Sequence, residues 1–129
     1  MENSPKHILL VEDDVDISNA IKLLLGRSGF SVKTSSTVAN ALDLAANEHF
    51  DLFILDTFLQ DGTGLELCRE IREFDQDTPI LFHPASVIEG DRKKSLRAGT
   101  QAYVTKPADF DELERLVSEL VSANLQKIT

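Results

Sequence analysis

Tryptophan is absent from the chain, and cysteine and tyrosine each occur only once. A single cysteine excludes an internal disulfide. Cys68 lies in a helical apolar pattern with no cysteine or histidine near it at ligand spacing, so it reads as a core thiol. Long apolar runs are missing too. None approaches the roughly 18 uninterrupted residues that cross a bilayer, and the N-terminal stretch has no signal-peptide character. A soluble, cytoplasmic protein with no membrane partner is expected. Positive charge is scarce, with 13 Lys and Arg against 22 Asp and Glu and a net charge of −9. That balance argues against direct nucleic-acid binding, which relies on clustered cations to neutralise phosphates. A protein partner is the better expectation. The local exception is Arg92, Lys93 and Lys94 with Arg97, read either as a solvated helix face near a negative dipole end or as a contact surface.

What the 129 residues do contain is enough apolar content, 42%, to fill one core. Apolar runs suited to buried strands alternate with segments of helical period, the pattern of βα units wound into a parallel sheet. Five strands are expected, at residues 7–12, 31–35, 51–56, 79–83 and 101–105. The first, third and fourth are nearly all apolar, as central strands covered on both faces must be. The second is the most polar and belongs at an edge.

Helical stripes follow at Ile17, Ile21, Leu24 and Leu25; at Val38, Ala41, Leu42 and Ala45; at Leu67, Cys68, Ile71 and Phe74; and at Leu113, Leu116, Val117, Leu120 and Val121. A further helix at about 87–98 has the weakest stripe and much charge, which makes it a candidate moving part. Thr63 with Glu66, Ser86 with Glu89, and Asp109 with Glu112 have the spacing of capping boxes. Gly29 and Gly99 stand where helices should end.

Ligands of an open parallel sheet bind beyond the carboxyl ends of its strands, where the strand order reverses. Those ends carry Glu12, Asp13 and Asp14; Asp56; His83 and Pro84; and Thr105, Lys106 and Pro107. Carboxylates gathered at one rim repel one another unless a cation lies between them. Hard oxygen donors with open water positions suit Mg²⁺. For Asp14 the simpler reading is a cap on the first helix. Capping does not explain Asp56, which closes an apolar run well before the next helix start, or Lys106 before a proline.

Val11, Glu12, Asp13 and Asp14; Leu55, Asp56, Thr57, Phe58 and Leu59 followed by Gly64; and Tyr103, Val104, Thr105, Lys106 and Pro107 together resemble the receiver domains of two-component response regulators. The resemblance spans about residues 6–125 and implies a single receiver domain over 1–129. Its implied fold is a flavodoxin-like (βα)5 doubly wound parallel sheet of strand order 2-1-3-4-5. It makes Asp56 the phosphoacceptor, Asp13 a direct metal ligand beside Asp56, Glu12 a ligand through water and the Phe58 carbonyl a further ligand. Lys106 would pair with the phosphoryl group. A carboxylate suits nucleophilic attack on phosphorus, and the remaining catalysis is alignment and neutralisation of charge. By the same resemblance the chain is no enzyme beyond its own phosphotransfer. Its partners would be a histidine kinase or phosphotransfer protein and a downstream protein or fused output domain. Asp16, Ile17, Ala20 and Leu23 of the first helix would face the kinase, and the expected helix at about 87–98 would face the output. That helix, the expected strand at 101–105 and the last helix, which carries Leu113 to Val121, form a candidate surface for pairing two copies.

Two positions depart from the family. Gln60 replaces a usual proline and mainly alters loop stiffness. Pro84 replaces the usual serine or threonine, whose hydroxyl moves to the phosphoryl group while the aromatic on strand five, here Tyr103, follows. Proline has neither hydroxyl nor N–H, so the relay to Tyr103 is expected to fail. Ser86 is read as a cap, and His83 as alternating away from the direction of Pro84. Beside the phosphoacceptor switch stands an alternative, a receiver-like binding module whose output is uncoupled from phosphorylation. A distant third is an unrelated flavodoxin-like phosphatase, which Phe58 disfavours because it offers no second catalytic acid.

Overall fold

Three short apolar runs with no helical period form the centre of a parallel sheet. The computed structural model describes residues 5–83, 102–103 and 110–128. Strands β1 (His7–Val11), β2 (Ser31–Ser35), β3 (Leu52–Leu55), β6 (Ile80–Phe82) and β7 (Ala102–Tyr103) pair in the order β2-β1-β3-β6-β7, all parallel. Counting these five alone, the order is the expected 2-1-3-4-5. Polar β2 lies at the edge, as expected of a strand in which exposed and partly covered residues alternate before Ser35.

Side chains on a strand alternate between faces, and the two cores follow that alternation. Leu9, Val11, Phe53, Leu55, Ile80 and Phe82 meet helices α2 (Val38–Asn47) and α3 (Gly64–Arg72). Ile8, Leu10, Leu52, Ile54 and Leu81 meet helix α1 (Val15–Arg27) and the C-terminal helix α4 (Phe110–Ile128). The expected stripes supply the helix side of both layers, and Cys68 is fully buried. Burial pushes its thiol pKa up, against the lowering effect of Arg72 and Arg69.

Phe74 is a correction. It was expected on the buried stripe of α3, yet it is 49% exposed. The helix stops at Arg72, and the following turn is held by Asp75, which accepts from the backbone of Asp77 and Thr78 and from the Thr78 hydroxyl. A three-residue step past the end of a helix no longer returns to the same face.

Helix starts obey local chemistry. Asp14 caps α1 through the backbone N–H groups of Asp16 and Ile17. Thr63 and Glu66 form the expected capping box on α3. Gly29 closes α1 with φ of 94°, a conformation glycine adopts without strain. The boxes at Ser86 and Asp109, the glycine at 99 and the helix at 87–98 with its basic cluster lie outside the described residues.

An antiparallel hairpin between β3 and α3 was not anticipated. Its strands are β4 (Phe58–Leu59) and β5 (Gly62–Thr63), with Phe58 opposite Thr63 and Leu59 opposite Gly62. Three fastenings hold it. At its tip, Asp61 accepts from the N–H of Val38 at 2.6 Å and of Ala39 at 3.0 Å, tying it to the positive start of α2. At its base, the Thr63 box fixes the turn into α3. Between them, the N–H of Gly64 donates to the carbonyl of Thr57 at 2.8 Å. Gly64 also lies against the backbone of Asp56: a Cβ there would stand 1.9 Å from the Asp56 carbonyl oxygen and 3.0 Å from its carbon.

Two outcomes follow from these fastenings. Gly64→Ala should lose about 2 to 3 kcal/mol of stability in urea titration, because the obstruction is backbone rather than a yielding side chain. A loss below about 0.5 kcal/mol, the size of an ordinary surface change, would show that the close approach is not needed. Asp61 is held below its ordinary pKa of 3.8 by the N–H groups of Val38 and Ala39, outweighing a small opposing effect of burial. A depressed carboxyl supports the folded state above its unfolded pKa and loses that support as pH falls through the folded value. Amide exchange at Val38 and Ala39 should therefore be several-fold faster in Asp61→Ala than in the parent at pH 7, and the difference should shrink as pH falls below 3.8 and through the folded value. Equal exchange at pH 7 would rule out the tie.

Candidate functional site

The strand order reverses between β1 and β3, so the crevice of this sheet opens past Val11 and Leu55. Register sets what lines it. Val11 pairs with Leu55, and Leu55 pairs with Phe82. The ladder runs one step further, because Asp56 N–H donates to the Val11 carbonyl at 3.0 Å and His83 N–H to the Leu55 carbonyl at 2.8 Å. Glu12, Asp56 and His83 therefore stand at one level on three adjacent strands. They also continue the alternation of Leu10, Ile54 and Leu81, the residues that face α1 and α4.

All three are buried, at 4%, 8% and 3% exposure. Buried carboxylates need donors. One oxygen of Asp56 accepts from the N–H of Thr57 at 2.7 Å, and one of Glu12 accepts from the N–H of Asp14 at 3.1 Å. Glu12 thus turns inward and braces the β1–α1 loop, Asp14 caps the helix, and Asp13 between them is exposed. Among the described residues the Asp13 carboxylate has no hydrogen-bond or ion-pair partner.

Beside Asp13 a cleft of about 390 Å³ opens between the start of α1, the end of β2 and the hairpin tip, lined in part by Glu12, Ser18, Ser35, Asn40 and Gln60. Gln60 thus contributes a polar wall, beyond the loop stiffness expected of it. Phe58 is 57% exposed on β4, two residues past Asp56. Tyr103 lies on β7 with its backbone paired to Phe82, and its side chain is outside the described residues, as are Pro84, Ser86 and Lys106.

The donor set limits the kind of cation that fits. Among the described residues no three Asp, Glu, His or Cys side chains gather closely enough to hold a metal ion by themselves. Structural zinc needs four protein ligands and catalytic zinc three, whereas Mg²⁺ keeps several waters and takes one or two carboxylates. Oxygen donors at Asp13 and Asp56 fit the second pattern.

The sequence reading singled out Glu12, Asp13 and Asp56, and the fold brings Glu12 and Asp56 side by side with Asp13 at the mouth. It missed three contributors. Gly64 was only part of a motif, and its close approach to Asp56 appears only in three dimensions. Asp61 acts across 23 residues of sequence, and no local pattern marks it. Thr57 reads as a β-branched residue at a strand end, yet its side-chain oxygen is buried and has no hydrogen-bond partner among the described residues.

Known proteins agree with this architecture. Residues 8–118 match the family model described as the response regulator receiver domain. The response regulator ArlR of Staphylococcus aureus is 34% identical over 120 residues, which cover 93% of this chain and 54% of that protein. The chain spans about half the length of the curated relatives it matches. A CheY-like receiver domain protein from Methanospirillum hungatei superimposes with a TM-score of 0.90 at 28% identity, over 96% of this chain and 99% of that one. The receiver domain of a sensor histidine kinase from Pseudomonas aeruginosa, solved with a magnesium ion in its active-site cleft, gives 0.84 at 29% identity over 92% and 98%. The response regulator TrrA of Thermotoga maritima, solved in complex with Mg²⁺ and beryllium fluoride, gives 0.82 at 31% identity over 89% and 98%. With a family match over most of its length and these relatives, the chain belongs to the response regulator receiver domain family.

Proposed function

We propose that the chain works as one receiver domain, with its core at about residues 6–125, that takes a phosphoryl group on Asp56 from a histidine kinase or phosphotransfer protein and reports through protein contacts. The observation that carries this reading is the placement of Asp56: a carboxylate at the switch point, level with Glu12 and held by the Thr57 N–H. A fixed carboxylate oxygen is ready for in-line attack, since catalysis of phosphoryl transfer is mostly alignment and neutralisation of charge. Its oxygen forms the new bond to phosphorus as the bond to the donor breaks, and the negative charge stays on the transferred group.

Asp13 and Asp56 would hold Mg²⁺ directly, with Glu12 through water and the Phe58 carbonyl as a further ligand. When bound, the cation offsets carboxylate repulsion and the charge of the incoming phosphoryl group. Lys106 adds a point charge to the same oxygens. The product is an acyl phosphate. The exposed Phe58 ring has no group that positions water against it, which favours a long-lived phosphorylated state. The outer face of α1, with Leu23 60% exposed, is the surface offered to the phosphodonor.

Pro84 favours a second reading, in which the chain is phosphorylated but the change spreads weakly toward Tyr103. A phosphoryl group shifts a conformational equilibrium only by interacting differently with the two states. Without a hydroxyl at position 84, one such difference is missing.

Two measurements test these readings. Incubated with acetyl phosphate and Mg²⁺, the chain should gain one phosphoryl mass; the gain should disappear with EDTA and in Asp56→Asn. A phosphorylated Asp56→Asn would sink the assignment. For the relay, the parent and Pro84→Thr can be loaded with beryllium fluoride and Mg²⁺ and compared by NMR at Tyr103 and residues 87–98. The shifts should be larger in Pro84→Thr, because a charge-assisted hydrogen bond of about 1.5 to 3 kcal/mol is restored, roughly a tenfold to hundredfold change in bias. Equal shifts in the two proteins would mean that the hydroxyl is dispensable.

A further inference from the structure

Thr57 adjoins the acceptor carboxylate, and the phosphoacceptor reading gives its side chain no task. It is 5% exposed, and its hydroxyl has no hydrogen-bond partner among the described residues. A hydroxyl in that position costs the fold its desolvation, a cost that valine, of the same shape, would avoid. The rest of the residue is held firmly. Its N–H donates to Asp56 Oδ1 at 2.7 Å, and its carbonyl accepts from Gly64 at 2.8 Å. With the backbone fixed at both sides, rotation about χ1 is the freedom left to the hydroxyl, and a β-branched residue has few such positions. Asp56 accepts from the Thr57 N–H, which keeps the carboxylate within one residue's length of the Thr57 side chain. Thr57 also stands two residues beyond Leu55, the ladder partner of Phe82, as Pro84 stands two beyond Phe82 in the sequence.

From these observations, and resting on the phosphoacceptor reading of Asp56, we infer that the Thr57 hydroxyl binds the phosphoryl group carried by Asp56. It donates one hydrogen bond to a phosphoryl oxygen and keeps its proton. A phosphoryl group brings strong acceptor oxygens into a place where a buried donor already waits. Position 57 thereby supplies a hydroxyl that position 84 lacks. The interaction exists only in the phosphorylated state, so it is one that phosphorylation can use to shift the domain's equilibrium.

The test compares the parent, Thr57→Val and Thr57→Ser in thermal melts without ligand, in titration with beryllium fluoride and Mg²⁺, and in the lifetime of the acyl phosphate. Thr57→Val should melt at or above the parent when unliganded, bind beryllium fluoride on the order of tenfold to hundredfold more weakly, and lose its phosphoryl group faster. Thr57→Ser should bind the mimic within a few-fold of the parent. A lower unliganded melting temperature in Thr57→Val would mean that the hydroxyl serves the resting fold, and would overturn the inference. So would equal mimic affinity in the parent and Thr57→Val while the parent accepts phosphate normally; that result would leave Asp56 as acceptor. If the parent itself gains no phosphoryl mass and ignores the mimic, the acceptor reading fails and the role of Thr57 fails with it.

Discussion

The register that pairs Val11 with Leu55 and Leu55 with Phe82 governs everything at the carboxyl rim. A parallel ladder cannot slip by one residue here without turning Leu9, Val11, Phe53 and Leu55 out of one core and Ile8, Leu10, Leu52 and Ile54 out of the other. Each buried aliphatic or aromatic side chain contributes roughly 1.5 to 3 kcal/mol. The two cores therefore fix the register far more strongly than any interaction at the rim could. Glu12 and Asp56 lie level because the residues before them are apolar on both faces.

That arrangement sets the rim against the rest of the fold. Two carboxylates are buried side by side on neighbouring strands, and each is met by a backbone N–H from the loop that follows it. Those loops must be held still for the donors to be useful. The β1–α1 loop is fixed by Asp14 at the helix start. The β3–α3 connection is fixed by the hairpin, which Asp61 fastens to α2 and which Gly64 presses onto the Asp56 carbonyl. The hairpin thus acts as the support of the carboxylate, although none of its side chains need touch what binds there.

Most of the fold was legible because its signals are local or periodic. Apolar runs gave the five strands, the polar β2 gave an edge, and the spacing of Thr63 and Glu66 gave a helix start. Phe74 misled because a helical period can be counted past the residue where the helix ends. Only the turn built on Asp75 decides that end, and its bonds run forward to Asp77 and Thr78. At the site, the carboxylates were legible because acidic residues at the ends of apolar runs are unusual. Asp61, Gly64 and Thr57 were not. Their roles depend respectively on a bond to a distant helix, on the space a missing Cβ leaves and on burial of a hydroxyl, and none of these has a period or a spacing.

The three missed residues share a physical feature that separates them from the carboxylates: each bears on the backbone around Asp56 or on the loop that follows it. Thr57 donates its N–H to Asp56 and receives Gly64 at its carbonyl. Gly64 lies on the carbonyl of Asp56 itself, and Asp61 holds the loop that joins them. None of these fastenings involves the side chain at position 84, so this frame can carry different residues there. A proline at position 84 leaves the N–H of Thr57, the approach of Gly64 and the tie of Asp61 untouched. On the proposed phosphoacceptor reading, acceptance at Asp56 and its onward relay are therefore separable within one domain, the first depending on the frame around Asp56 and the second on individual hydroxyls.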